Sequence, residues 1–246
     1  MEGPRALISD LDGTLLGDET ALKEFAGWLQ QRAGGIRLAY NSGRLFESVV
    51  EQVRRTDLPE PEAVIGGVGA DIRHYPSGEP VDGWPRCLGP WDRREMQRIV
   101  GQFGELQRQP EEFQTEHKLS YYGYDLDVAF LVGLRRQLAL AGCPVEVVYS
   151  SNRDLDILPA GVNKGTAAAF LAGRWQLAPR QVVVSGDTGN DASMFVHGFK
   201  GVVVDNALAE LKAIRSPDVY HSLRAHAAGV LDGLRYWLDE APASAG

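Results

Sequence analysis

The chain opens on a short apolar run, Ala6-Leu7-Ile8-Ser9, that stops at Asp10. A brief apolar run bounded by turn residues reads as a buried strand. Asp12-Gly13-Thr14 follows as a turn, and across residues 19–33 Leu22, Phe25, Ala26 and Leu29 recur at helical spacing. The sequence of events then repeats. Arg37 to Tyr40 predicts a strand ending at Asn41-Ser42-Gly43-Arg44, and a helix follows from Leu45 to Arg55. Ala63-Val64-Ile65 predicts a third strand, ending in Gly66-Gly67-Val68-Gly69. Strand, glycine-bearing turn, helix and strand again is the rhythm of a parallel α/β sheet.

That rhythm breaks near Ser77, where Pro76, Gly78, Pro80, Gly83 and Pro85 mark a connector. Beyond it, residues 92–104 predict a helix, 117–124 and 145–151 predict strands, and 127–141 predicts a helix between them. Leu155 to Pro159 reads as the way back to the first pattern. A helix from Lys164, the strand Gln181-Val182-Val183-Val184, Gly186-Asp187, another helix and the strand Gly201-Val202-Val203-Val204 resume it. The expected fold class is α/β, with a parallel-sheet core made of residues 1–82 and 160–246 and a smaller α+β cap, residues 83–159, inserted between them. The stretch after Asp239, rich in Ala, Pro and Ser, reads as a frayed tail.

Composition narrows the function. The 246 residues, 44% hydrophobic, suit one domain or one domain carrying an insert. A formal net charge of −8 leaves no basic face for nucleic acid. It would also repel an anionic substrate, so local cations or a metal must offset it at any phosphate site. Cys87 and Cys143 are far apart, form no metal-type pair and are expected to be small buried thiols. The first residues carry no basic stretch leading into a long apolar one, and no apolar run approaches the roughly 20 residues that span a bilayer. The expectation is a soluble cytoplasmic protein with neither nucleic-acid nor membrane partners.

In an open parallel sheet, ligands bind beyond the carboxyl ends of the strands. Here the first strand end supplies Asp10 and Asp12, the second Ser42, and a later one Asp187, with Asp191 four residues on. Lys164 stands at the expected start of a helix. Four carboxylates on one edge repel one another unless a cation joins them. Oxygen donors without a His or Cys cluster point to a hard ion, Mg²⁺, rather than zinc. A carboxylate can attack phosphorus to give an aspartyl-phosphate, which splits hydrolysis into two easier steps. Mg²⁺ and Lys164 would offset the repulsion between anions. Asp12 could protonate the leaving oxygen and then activate water, and Ser42 with backbone N–H groups near Gly13 could hold phosphate oxygens. Singly, each motif also reads as something ordinary: a capped turn, a helix cap, a solvated lysine. Their joint order at strand ends favours the chemistry.

Asp10-Leu11-Asp12-Gly13-Thr14-Leu15, Ser42, Lys164 and Gly186-Asp187-Thr188-Gly189-Asn190-Asp191 together resemble the four motifs of the haloacid dehalogenase superfamily. The resemblance implies a Rossmann-like core, Asp10 as nucleophile and Asp12 as general acid/base. It further implies Mg²⁺ held by Asp10, the Asp12 carbonyl and Asp187, with Asp191 in support. The stretch between Asp12 and Ser42 leaves no room for a cap, so the cap lies between Ser42 and Lys164, as in the α/β-capped sugar phosphatases.

A closer likeness is to the sucrose-phosphate phosphatase group, through Tyr40-Asn41-Ser42-Gly43-Arg44, Gly67-Val68-Gly69-Ala70-Asp71-Ile72, Lys118-Leu119-Ser120-Tyr121, the stretch from Ser150 to Pro159, and Asn163-Lys164-Gly165. That likeness implies Lys118, Ser120 and Asp156 from the cap, with Asn190 from the core, holding sugar hydroxyls. Ser42 stands where the group often carries Thr. The wording around Ser42, Gly67 and Ser150, and the ending Gly229 to Trp237, also resembles the mannosylfructose-phosphate phosphatases. Mannosylfructose 6-phosphate and sucrose 6-phosphate are therefore rival substrates, and coupling to a glycosyltransferase, a disaccharide-phosphate synthase, is the implied partnership.

Three other readings compete. A phosphatase of other sugar phosphates shares every motif. A phosphohexomutase would need a second basic cluster in the cap, for which Arg86, Arg93, Arg94, Arg135 and Arg136 are the candidates. A non-catalytic partner of a synthase would not need the catalytic positions filled, and all are.

Overall fold

The computed structural model describes residues 3–32 and 34–238. The expected frayed tail lies outside the described residues. The main sheet begins with β1 (Ala6–Ser9), followed by α1 (Glu19–Gln30), β2 (Arg37–Asn41), α2 (Phe46–Arg55), β3 (Ala63–Gly66) and β4 (Asp71–His74). It resumes after the insertion with α5 (Lys164–Arg174), β9 (Val182–Gly186), β10 (Lys200–Val203), α6 (Ala209–Lys212), β11 (Val219–His221) and α7 (His226–Trp237). The intervening chain supplies α3 (Arg93–Val100), β5 (Gln107–Arg108), β6 (Leu119–Tyr122), α4 (Val128–Leu140), β7 (Val145–Ser150) and β8 (Asp154–Pro159).

The seven-stranded sheet has the order β11-β10-β9-β1-β2-β3-β4. All its neighbours are parallel except β3 and β4. The order reverses at β1, so the carboxyl ends of β1, β2 and β9 border the crevice where an open sheet binds ligands. Successive side chains of a strand face opposite ways. Leu7 accordingly packs with Phe25, Val49 and Leu231 on one face, while Ala6 and Ile8 pack with Ala167, Ala168 and Leu171 of α5 on the other. Each fully buried Leu, Ile or Phe contributes about 1.5–3 kcal/mol, and burial on both faces holds the strand ends rigid beneath the site. Among the described residues, no helix is long and apolar enough to cross a membrane.

The smaller sheet is antiparallel, with the order β5-β6-β8-β7. Leu119 and Tyr121 of β6 and Leu155 and Ile157 of β8 pack with Met96, Ile99, Leu134 and Leu138 of α3 and α4. Alternation turns the neighbouring polar residues to the opposite face. Cys143 is buried in this cluster, and Cys87 is half-buried.

One sequence expectation is corrected, and two features are added. Leu155 to Pro159 is not merely an exit: β8 pairs with both β6 and β7 and sits inside the small sheet. The chain after Ile65 returns as an antiparallel edge strand that its polar sequence did not announce. The helix expected after Gly186-Asp187 is present as a 3₁₀ helix, Gly189–Val196. Asp191 folds back on its start there, accepting from the Asp187 and Thr188 N–H groups at 3.0 and 3.1 Å, which tightens the turn.

Candidate active site

Asp10 follows β1 directly. Its N–H donates to Ser185 O at 3.0 Å, which ties it to the neighbouring strand β9. Asp187 follows β9, and the 3₁₀ turn brings Asp191 back beneath it. Carboxylate atoms of Asp10, Asp187 and Asp191 all lie within 4.8 Å of one another, and all three residues are buried. Lys164 opens α5, whose N-cap Asn163 forms a reciprocal capping box with Thr166. Asn41 Nδ2, at the end of β2, donates to the Lys164 carbonyl at 2.9 Å. Fixed in this way, Lys164 Nζ donates to Asp10 Oδ1 and to Asp191 Oδ1, both at 2.7 Å.

One ammonium cannot neutralise three carboxylates. Burial, reinforced by the Asp191 charge and opposed by Lys164, pushes the Asp10 pKa up to about 7. Burial, together with the Asp10 and Asp191 charges, pushes Asp187 up to about 8. Burial opposes the charge on Lys164, but Asp10 and Asp191 outweigh it and raise its pKa. Carboxylates that resist ionisation together are the signature of a shared anionic site. A hard divalent cation with oxygen ligands fits this donor set. Asp191 has both oxygens engaged, one by Lys164 and the other by the Asp187 and Thr188 N–H groups. It therefore anchors the cluster, whereas Asp10 and Asp187 face it with fewer partners.

Gly13 lets the first turn approach this cluster. It adopts φ +81°, and a Cβ there would lie 2.2 Å from Asp187 Oδ2. Thr14 Oγ1 donates to Asp187 Oδ1 at 3.3 Å, joining the two turns. Asp12 is half-exposed, and Arg44 grips it with a bidentate fork: Nε to Oδ2 and Nη2 to Oδ1, each at 2.7 Å. Ser42 is buried after β2, and its Oγ accepts from the Arg44 N–H at 3.1 Å.

A cavity of about 610 Å³ opens above these groups. The core contributes Asp10, Asp12, Arg44, Val68 and Asn190, and the open face of the small sheet contributes Lys118, Tyr122, Asp154 and Asp156. Val68 stands at φ 62°, an unusual conformation for a β-branched residue, with its N–H donating to Ser42 O at 3.0 Å. On the opposite wall, Lys118 Nζ lies 3.3 Å from Asp156 Oδ1, and both side chains are nearly buried. Register places Ser120 directly across from Asp156. The Ser120 hydroxyl donates to Asp156 Oδ1 at 2.6 Å.

The structure thus brings Asp10, Asp187, Asp191 and Lys164 into direct contact, and sets Asp12, Asn190, Lys118 and Asp156 around the same cavity. Ser42 and Ser120 are buried behind this wall and do not line it. Sequence reasoning missed Arg44, Gln109, Glu112, Phe113, Tyr122, Arg153 and Asp154, which also line the cavity. Arg44 could have been found by the strand-end rule that found Ser42. Gln109 to Phe113 carried no periodic signal. None of the five cap arginines proposed for a second phosphate lines the cavity. Arg86 stacks on Phe170, and Arg135 donates to the Val147 carbonyl.

Comparison with known proteins places the chain in a family. Residues 3–238 match the family model of sucrose-6F-phosphate phosphohydrolase. The chain is 37% identical to mannosylfructose-phosphate phosphatase of Agrobacterium fabrum over 243 residues, covering 96% of this chain and 98% of that protein. It is 32% identical to sucrose-phosphatase 1 of Nicotiana tabacum over 94% of this chain, but spans only 58% of that longer protein. Its fold superposes on the crystal structure of the sucrose-phosphatase of Synechocystis sp. PCC6803 in complex with sucrose and phosphate. That match has a TM-score of 0.88 and 32% identity, covering 96% of this chain and 98% of the other. With the family model matched from end to end of the described fold, the chain belongs to the sucrose-6F-phosphate phosphohydrolase family of the haloacid dehalogenase superfamily and is a phosphoric monoester hydrolase.

Proposed function

We propose that this chain is a Mg²⁺-dependent phosphatase of a disaccharide phosphate, mannosylfructose 6-phosphate or sucrose 6-phosphate, acting through an aspartyl-phosphate on Asp10. The observation that carries the reading is the buried cluster of Asp10, Asp187, Asp191 and Lys164 at one end of a cavity whose far wall carries the Lys118–Asp156 pair.

Asp10, the Asp12 carbonyl and Asp187 would hold Mg²⁺, with Asp191 fixing the surround, and the ion would supply positive charge for the phosphoryl oxygens. A carboxylate oxygen of Asp10 attacks phosphorus, and the bond from phosphorus to the sugar oxygen breaks. Asp12 gives its proton to that departing oxygen. Asp12 then takes a proton from water, whose oxygen attacks phosphorus and returns Asp10 as carboxylate with release of inorganic phosphate. The fork from Arg44 holds Asp12 at the cavity wall. The pair is partly exposed at the cavity, so substrate can reach it there.

Residues 83–159 act as the cap that selects the sugar. Lys118 and Asp156 present a donor and an acceptor side by side, as recognition of adjacent hydroxyls requires. Ser120 acts through Asp156, and Asn190 reaches the substrate from the core. Ser42 orders the loop that lines the phosphate end. A disaccharide phosphate is the product of glycosyl transfer to a sugar phosphate, so a glycosyltransferase of the disaccharide-phosphate synthase class must supply this enzyme. The test is phosphate release, with Mg²⁺, from mannosylfructose 6-phosphate, sucrose 6-phosphate, trehalose 6-phosphate and simple hexose phosphates side by side. The reading expects kcat/KM for one of the first two to exceed that for the hexose phosphates by about 10² or more. Equal rates on all would defeat the disaccharide assignment.

A further inference from the structure

Behind the turn that carries Asp10 and Asp12, two side chains converge on a single carbonyl. Asn206 Nδ2 donates to Gly13 O at 2.7 Å. His226 Nδ1 lies 3.0 Å from the same oxygen. A carbonyl can only accept, so Nδ1 carries a proton. The two residues are also tied together, because the His226 backbone N–H donates to Asn206 Oδ1 at 2.9 Å. Gly13, Asn206 and His226 therefore form a closed ring of contacts, joining the chain's first turn to residues after β10 and at the start of α7.

The backbone adapts on both sides of this ring. His226 adopts φ 51°, a left-handed conformation that costs a residue with a Cβ. Gly17, at φ +132°, clears space for the ring, since a Cβ there would lie 2.4 Å from His226 Cε1. Strain of this kind persists where the surroundings over-determine it. Docking α7 on the core does not require it: Ala227, Val230, Leu231 and Leu234 already bury that helix.

We propose that Asn206 and His226 are positioning residues that clamp the Gly13 carbonyl and so hold Asp12 in register with Asp10. The segment is pinned at its other end by the bond from Asp10 N–H to Ser185 O. From Asp10 N to Gly13 O it is therefore fixed at both ends, and the two aspartates cannot move independently. Neither Asn206 nor His226 lines the cavity, and both act on the turn from behind. Misplacement of a reacting group is felt in the chemical step more than in binding, so the clamp acts on kcat. The inference rests on the phosphatase reading proposed above.

Four variants test it: Asn206→Ala, His226→Ala, the double variant, and His226→Asn, which keeps a donor near the Nδ1 position and suits a left-handed backbone. Two readouts are taken. The first is hydrogen exchange of the Thr14, Leu15 and Leu16 amides without Mg²⁺ or substrate, which does not depend on activity. The second is kcat and KM for p-nitrophenyl phosphate with Mg²⁺. Each alanine variant should speed exchange in this turn and lower kcat by about tenfold with KM within about twofold. His226→Asn should recover most of the loss. Unchanged exchange in both alanine variants would overturn the clamp. Faster exchange with unchanged kcat, or an asparagine no better than alanine, would overturn its role in positioning. A wild-type enzyme inactive on every phosphate ester would instead defeat the phosphatase reading, leaving the exchange result to judge the clamp.

Discussion

Lys164 Nζ donates to Asp10 Oδ1 at 2.7 Å, and almost no part of either side chain reaches solvent. Removing one partner of a buried ion pair leaves the other charge uncompensated, at a cost of about 3–5 kcal/mol. Lys164→Met should therefore lower the melting temperature in the absence of metal, and it should also lower kcat by at least about 10². Thermal melts by circular dichroism and phosphate-release kinetics check the two effects separately.

The same cluster sets a dependence on pH. Asp10 and Asp187 stand at about 7 and about 8, above the ordinary carboxylate value of 3.8. Between the unfolded and folded values the native state binds more protons than the unfolded state, so stability falls as pH rises across that window. A divalent cation offsets the repulsion that causes the loss. The rise in melting temperature on adding Mg²⁺ should therefore be small at pH 5 and grow towards pH 8. Melts with Mg²⁺ and with chelator at pH 5, 6.5 and 8 measure it, and a Mg²⁺ increment that shrank with rising pH would count against this site for the ion.

On the opposite wall, Lys118 and Asp156 form a pair that faces the cavity. Asp156→Asn should raise KM for the preferred disaccharide phosphate by about tenfold or more. Its effect on p-nitrophenyl phosphate should be slight, because that ester has no sugar to hold. Ser120→Ala, which removes only the hydroxyl behind Asp156, should give a smaller shift in the same direction. Equal losses on both substrates would mean that these residues do not read the sugar.

Gly13 has no room for a side chain. Its φ of +81° and the 2.2 Å approach of a Cβ to Asp187 Oδ2 mean that Gly13→Ala must displace the first turn or Asp187. The expected outcome is a loss of about 10² in kcat with the far-ultraviolet dichroism spectrum retained.

The parts of this site that the sequence made legible are those set by strand ends. Asp10, Asp12 and Asp187 each follow an apolar run, and the sheet's topology dictates where such residues converge. Lys164 is legible as the residue at the start of the helix that resumes the α/β pattern. Only the family likeness points to Asp156, because Leu155 to Pro159 reads locally as an exit although Asp154 and Asp156 alternate with Leu155 and Ile157. The strand is short and ends in proline, and its partners lie 36 positions away across the Ser120–Asp156 contact but close by in β7. The Arg44 fork on Asp12 and the contacts of Asn206 and His226 with Gly13 depend on the folded chain bringing distant turns together, and no local pattern encodes them. Residues such as Gln109 and Glu112 sit where a two-residue strand meets a 3₁₀ turn, too short for any periodicity to mark.

The central claim is that Asp10 is the attacking group, and turnover of the Asp10→Asn variant tests it most directly. With Mg²⁺ and the best substrate of the phosphosugar panel, the account expects kcat to fall by at least about 10³, with the fold intact by circular dichroism. Turnover within tenfold of the unaltered enzyme would contradict a covalent mechanism on Asp10.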